Sequence, residues 1–107
     1  MLQLLPQELA AWLGDASRPK PVLLDVREPW ETGLCSIDES KLIPMATVPL
    51  RVAELDPAAE TVVICHHGAR SSQVGMYLEQ HGFAKVYNLR GGVDAWARSV
   101  DPAMATY

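Results

Sequence analysis

Near-continuous apolar runs alternate with amphipathic stretches along this chain. Val22-Leu23-Leu24-Asp25-Val26 and Thr61-Val62-Val63-Ile64-Cys65 have the pattern of strands buried on both faces of a parallel sheet. Lys85-Val86-Tyr87-Asn88-Leu89 reads as a last strand, and Lys41-Leu42-Ile43 as a short one inside the weakly patterned stretch from Leu34 to Pro49. A first helix is predicted over Pro6 to Leu13, where proline suits the first helical position and Leu9, Trp12 and Leu13 share a face. Gly14 to Pro21 is a polar connection. Pro29 to Gly33 reads as a short helix with Glu28 and Glu31 at its start, and Arg51 to Leu55 as a helical turn before Pro57. A helix from Ser71 to about His81, ended by Gly82, carries Val74, Tyr77 and Leu78 on one face. Gly91-Gly92 is a turn before a last helix, Val93 to Arg98.

Strands alternating with helices predict an α/β fold with a mainly parallel sheet. Such sheets form their sites at the carboxyl ends of the strands. That edge holds two segments here: Asp25 to Glu28, and Cys65 with the loop that follows it.

The loop Cys65-His66-His67-Gly68-Ala69-Arg70-Ser71 is the most chemical stretch of the chain. A cysteine between a buried strand and a helix N-terminus sits where backbone N–H groups and the helix dipole converge, which favours a thiolate and bound anions. Gly68 lets the loop curl through a left-handed residue without a Cβ clash, and successive N–H groups from His66 to Ser71 then make an anion nest. Arg70 is always cationic; it holds an anionic substrate or clamps the loop through a carboxylate. His66 or His67 adds a donor, or positive charge if protonated, one facing the cleft and the other packing or meeting solvent. No general base stands in a triad, so the chemistry favoured is that of an electrostatically stabilised sulfur attacking sulfur, phosphoryl or arsenical centres. Adjacent histidines seldom present three ligands to one ion, and no further CxxC or HxxxH spacing is present, so no metal and no cofactor are expected.

Asp25 and Arg27 lie on one side of a strand end, either as an ion pair bracing the loop or as groups lining the pocket. Cys35, with no basic neighbour in its segment, reads as a half-buried bystander rather than a resolving thiol. Trp12, Trp30 and Trp96 read as core or rim residues, Trp30 nearest the pocket mouth. His81 reads as a surface residue satisfying a helix end. Gly91-Gly92 permits close approach to the cleft. The stretch Ser99 to Tyr107 either packs back on the domain or docks a neighbour.

Composition changes the picture only slightly. With 107 residues, 49% hydrophobic and 21% charged, the chain reads as one domain over 1–107, with a core at about 3–98 and a tail at 99–107. A net charge of −4 disfavours nucleic acid and anionic membrane as partners. No apolar run approaches a membrane span, and Met1 to Pro6 has no basic region or cleavage site of a secretory signal. Two cysteines make a poor disulfide framework, so a reduced cytoplasmic setting is expected. Oligomeric state is not legible.

The Cys65–Ser71 loop resembles the active-site loop of the single-domain rhodaneses, the thiosulfate sulfurtransferases. Leu23-Leu24-Asp25-Val26-Arg27-Glu28 is similar to their first-strand motif. Asn88-Leu89-Arg90-Gly91-Gly92-Val93-Asp94-Ala95-Trp96 is similar to their C-terminal glycine-pair and tryptophan motif. The resemblance implies a mainly parallel five-stranded sheet flanked by helices on both faces. It also implies a persulfide on Cys65, taken from thiosulfate or a similar donor and passed to a thiophilic acceptor such as cyanide, a thiol or a protein. The loop N–H groups from His66 to Arg70 would stabilise that persulfide. Phosphatases of the same fold have one more loop residue than the four that separate Cys65 from Arg70 here, so the shorter loop favours sulfur over phosphate or arsenate. A carrier module with little turnover of its own is the further alternative. Many relatives carry His-Ile-Pro-Gly, or a similar run, where this chain has Ser36-Ile37-Asp38-Glu39, a departure that bears on the pocket rim.

Overall fold

The apolar runs become the centre of a single sheet. The computed structural model describes residues 1–107. It has strands β1 (Leu2–Leu4), β2 (Val22–Asp25), β3 (Lys41–Leu42), β4 (Thr61–Ile64) and β5 (Val86–Leu89). Their order is β1-β5-β4-β2-β3, with every neighbouring pair parallel. The helices are α1 (Pro6–Leu13), α2 (Pro29–Thr32), α3 (Val48–Arg51), α4 (Ala69–Gln80) and α5 (Gly92–Ser99), with single 3₁₀ turns at Met45–Thr47 and Val52–Glu54 flanking α3.

Side chains of β4 alternate between two cores, as a strand covered on both faces requires. Val63 and Cys65 face Val74 and Leu78 of α4. Val62 and Ile64 face Leu9 and Trp12 of α1 and Val93 and Trp96 of α5. The same alternation on β2 sends Leu24 to the α4 side and Leu23 to the α1–α5 side. Val100, Met104 and Tyr107 of the last segment pack onto the second core, so this segment folds back on the domain.

Three elements go beyond or depart from the pattern read along the chain. Leu2–Leu4 is a strand, paired with Tyr87–Leu89 at the sheet edge; at three residues, two of them exposed, it carries no periodic signal. The helical turn expected over residues 51–55 is present as the 3₁₀ turn Val52–Glu54, but it is preceded by α3 from Val48, with Pro49 in its first turn where no N–H is needed. α4 begins at Ala69, two residues ahead of the predicted Ser71.

The Ser36–Glu39 run does not rim the Cys65 loop. Together with Lys20, Trp96 and Met104 it lines a cleft of about 510 Å³, none of whose lining residues lies in 65–71. Glu39 sits there at φ 67°, a left-handed backbone that a non-glycine residue seldom adopts.

Candidate active site

β4 delivers Cys65 to the carboxyl edge of the sheet, and the chain turns at once into α4. Gly68 makes that turn at φ 106°, the conformation for which a glycine was expected, and immediately precedes the helix. The loop carbonyls are drawn outward: the N–H of Val93 donates to Cys65 O at 2.9 Å and that of Asp94 to His66 O at 3.2 Å. The N-terminus of α5 therefore holds the outer side of the loop. Gly92 makes this possible, since a Cβ there would lie 2.3 Å from Cys65 O and 2.4 Å from His66 O.

Cys65 is 1% exposed. Its Sγ accepts the Gly68 N–H at 3.0 Å and lies 3.2 Å from Ser71 Oγ. Ser71 in turn donates to Asn88 Oδ1, and Asn88 Nδ2 donates to Gln3 Oε1 at 2.8 Å. A polar line thus runs from the buried thiol through Ser71 of α4 and Asn88 of β5 to the exposed Gln3 of β1. A negative sulfur here meets the Gly68 N–H and the positive end of a twelve-residue helix, while Ser71 Oγ, its hydrogen given to Asn88, is placed to accept from the neutral thiol.

Arg70 clamps rather than offering a free cation. Its Nη1 and Nη2 meet Glu31 Oε2 and Oε1, both at 2.7 Å, a bidentate pair between α4 and α2. The buried Glu31 carboxylate also accepts the Glu28 N–H at 2.8 Å. Arg70 above all, then the Glu28 N–H and Tyr107 hydroxyl, overcome the upward pull of burial and hold Glu31 at about 2. Arg70 is correspondingly raised above the ordinary arginine range by Glu31.

Asp25 and Arg27 form the ion pair of the two roles considered, with Nη2 at 2.7 Å from Oδ2 and Nε at 3.0 Å from Oδ1. Arg27 is fully buried. Burial pulls it down, but hydrogen bonds to Asp25 and Tyr107 prevail and raise it. Its Nη2 donates to Cys35 O at 2.8 Å and its Nη1 lies 3.7 Å from Cys35 Sγ, so the expectation that Cys35 lacks a basic neighbour is corrected. The neighbour comes from another segment, eight residues back in the chain.

Of the two histidines, His66 is half-buried and His67 exposed. Their rings stack at 3.9 Å, and the other face of His66 is covered by the Tyr107 ring at 3.8 Å. Burial, then the neighbouring His67, pushes His66 below its ordinary value, which keeps it neutral at pH 7. Atoms of His66, His67 and Asp94 lie within 4.8 Å of one another, and His67 Nε2 stands 3.9 Å from Asp94 Oδ2. Trp30 is 66% exposed. His81 Nδ1 donates to Tyr77 O at 2.7 Å on the surface at the end of α4.

The structure therefore brings together Cys65, His66, Gly68, Ser71, Arg70 and, through Glu31 and Tyr107, the Asp25–Arg27 pair. Sequence reasoning placed Glu31 in a helix but missed its partner, and missed Asn88 and Tyr107 as site residues. For Glu31 a signal existed: an acid three residues after Glu28 that reaches back to the helix start. Tyr107 had none.

Comparison with known proteins agrees with this geometry. A profile of the rhodanese-like domain matches residues 5–99. The chain is 40% identical over 84 residues to a sulfurtransferase of Allochromatium vinosum, covering 78% of each chain. It is 40% identical over 81 residues to the thiosulfate sulfurtransferase GlpE of Pseudomonas paraeruginosa, covering 76% of this chain and 73% of that one. Among solved structures, the SSP1007 protein of Staphylococcus saprophyticus superposes with a TM-score of 0.84 at 31% identity, over 94% of this chain and 97% of that one. Two other relatives are much longer, and the chain spans 30% and 26% of them. No helix is long and apolar enough to cross a membrane.

Proposed function

The chain belongs to the rhodanese-like domain family, and on that premise we propose that it moves a sulfane sulfur from thiosulfate or a similar donor to a thiophilic acceptor through a persulfide on Cys65. The observation that carries this reading is the seat of the thiol. Cys65 Sγ is held by the Gly68 N–H at 3.0 Å and by Ser71 at the start of α4, in a six-residue loop that ends in Arg70.

The step balances without a cofactor. The Cys65 thiolate attacks the outer sulfur of thiosulfate; the S–S bond of the donor breaks and sulfite leaves with its electron pair. The terminal sulfur of the resulting persulfide is then attacked by cyanide or a thiolate. The Cys65–sulfur bond breaks, and its electron pair returns to the Cys65 thiolate. Backbone N–H groups and the helix dipole face the negative sulfur at both stages, which is electrostatic preorganisation rather than base catalysis. Because Arg70 is spent on Glu31 and Arg27 on Asp25, the charged end of a donor meets loop N–H groups before any unpaired guanidinium. The setting of this chemistry is proposed to be the reducing cytoplasm, where Cys65 stays a thiol.

Incubation with thiosulfate, followed by intact mass with and without reductant, tests the reading. A reducible gain of one sulfur atom that disappears in Cys65→Ser is expected; no adduct with any sulfane donor would sink it. Loading without turnover to cyanide or thiols would point to the carrier-module reading, which the two longer relatives favour by containing the domain as one part.

A further inference from the structure

We propose that Tyr107 is a specificity-determining residue of this site: its side chain roofs the active-site loop and restricts Cys65 to slender donors and acceptors, an inference that rests on Cys65 being the sulfur carrier. The residue lies 80 positions from Arg27 and joins three parts of the site at once. Its ring lies flat on His66, with centroids 3.8 Å apart and planes 6° from parallel. Its hydroxyl accepts from Arg27 Nη1 at 3.0 Å and donates to Glu31 Oε1 at 2.9 Å, the same oxygen that meets Arg70 Nη2. The exposed Trp30 ring stands edge-on at 6.0 Å. His67, His66 and Tyr107 therefore form a three-ring stack beside the thiol loop, with Trp30 as its outer wall.

The ring owes its position to its own contacts. Pro102, Ala103, Ala105 and Thr106 are exposed, and only Met104 and Tyr107 of this stretch turn inward. Lifting the ring breaks the stack on His66, the edge contact with Trp30, two hydrogen bonds and its packing on the second core, while Tyr107 itself belongs to no strand or helix. The seated ring covers the outer face of His66, the residue that follows Cys65 in the loop. A small nucleophile or the terminal sulfur of a small anion passes beside a planar ring. A broad thiol or a protein loop requires the ring to leave.

The test compares the full chain with Tyr107→Phe, which keeps the stack and drops both hydrogen bonds, and Tyr107→Ala, which drops everything. Cys65 alkylation by iodoacetamide and by fluorescein maleimide is followed by peptide mass, which separates it from Cys35. Tyr107→Ala should raise the bulky-to-small rate ratio about tenfold, the scale on which single pocket contacts discriminate, with Tyr107→Phe in between. The ratio of kcat/KM for glutathione against cyanide as sulfur acceptor should rise in the same order. An unchanged ratio in folded Tyr107→Ala overturns the proposal. If that variant has melted at the assay temperature, Tyr107→Phe decides, and an unchanged ratio there overturns it equally. Alkylation requires no sulfur transfer. A shifted ratio in a protein that never takes sulfur would therefore sustain the roof and sink the sulfur-carrier reading, whereas sulfur loading with unshifted ratios would do the reverse.

Discussion

Breaking the Glu31–Arg70 clamp isolates what ties α2 to the active-site loop. Glu31 is buried and its carboxylate sits at about 2 against an ordinary 4.5, chiefly through Arg70. At about 1.4 kcal/mol for each pKa unit, that gap corresponds to about 3 kcal/mol of folding free energy at neutral pH. Arg70 keeps 35% of its side chain exposed, so water takes over part of its partnership when Glu31 is lost. We therefore set the coupling of the pair at about 2 kcal/mol in a double-mutant cycle of Glu31→Gln, Arg70→Ala and both.

The sign of the pH dependence is fixed by the carboxylate. Its folded value is depressed, so its stabilisation is complete above pH 4.5 and is lost as the pH falls toward about 2. Urea unfolding followed by circular dichroism between pH 7 and pH 2.5 reads this directly. The gap between wild type and Glu31→Gln should stay level down to about pH 5, then close by well over half at the acid end. The coupling energy should close with it. A gap that stays constant to pH 2.5 would mean that the carboxylate gains nothing from Arg70 and that the clamp is geometry without energy.

Other positions give sharper single outcomes. Ser71→Ala removes the hydroxyl 3.2 Å from Cys65 Sγ, whose one hydrogen goes to Asn88 in the resting site and turns to the sulfur to stabilise a thiolate. It should lower kcat/KM for sulfur transfer by about tenfold, since a hydrogen bond to a charged group is worth about 1.5 kcal/mol or more; unchanged kinetics would take Ser71 out of the site. Gly92→Ala drives a Cβ to 2.3 Å from Cys65 O at φ 61°, and should cost about 3 kcal/mol in urea unfolding along with loss of sulfur loading. A silent Gly92→Ala would show that the α5 N-terminus does not hold the loop. Glu39→Gly relieves a left-handed non-glycine residue far from the thiol, and should gain about 1 kcal/mol in the same unfolding assay with turnover unchanged; a loss would mean that the Glu39 side chain contributes more than its backbone costs.

What the sequence disclosed follows from where its information is local. β2 and β4 announce themselves because burial on both faces leaves an apolar run with no polar interruption before the strand end. The thiol loop is equally local: a strand, a cysteine, a left-handed glycine and a helix within a few residues. β1 escaped because three residues with two exposed carry no period, and its identity as a strand lies in the edge of β5 that it completes. α3 escaped because Pro49 sits inside a helix start that reads locally as a break, while the turn after it, Val52–Glu54, was legible.

The polar partnerships are non-local, and there the local pattern left alternatives standing. Arg70 was either an anion holder or a clamp until the fold set Glu31 beside it across 39 residues. Arg27 and Asp25 were either lining or brace until burial of Arg27 decided for the brace. The consequence is electrostatic. Arg27 and Arg70 each already face a carboxylate, so the positive potential these two leave to the cradle is small beside that of the backbone N–H groups and the α4 dipole. Side chains around this loop accordingly set shape and access, through the Glu31–Arg70 clamp and the Tyr107 ring, while the main chain sets the charge.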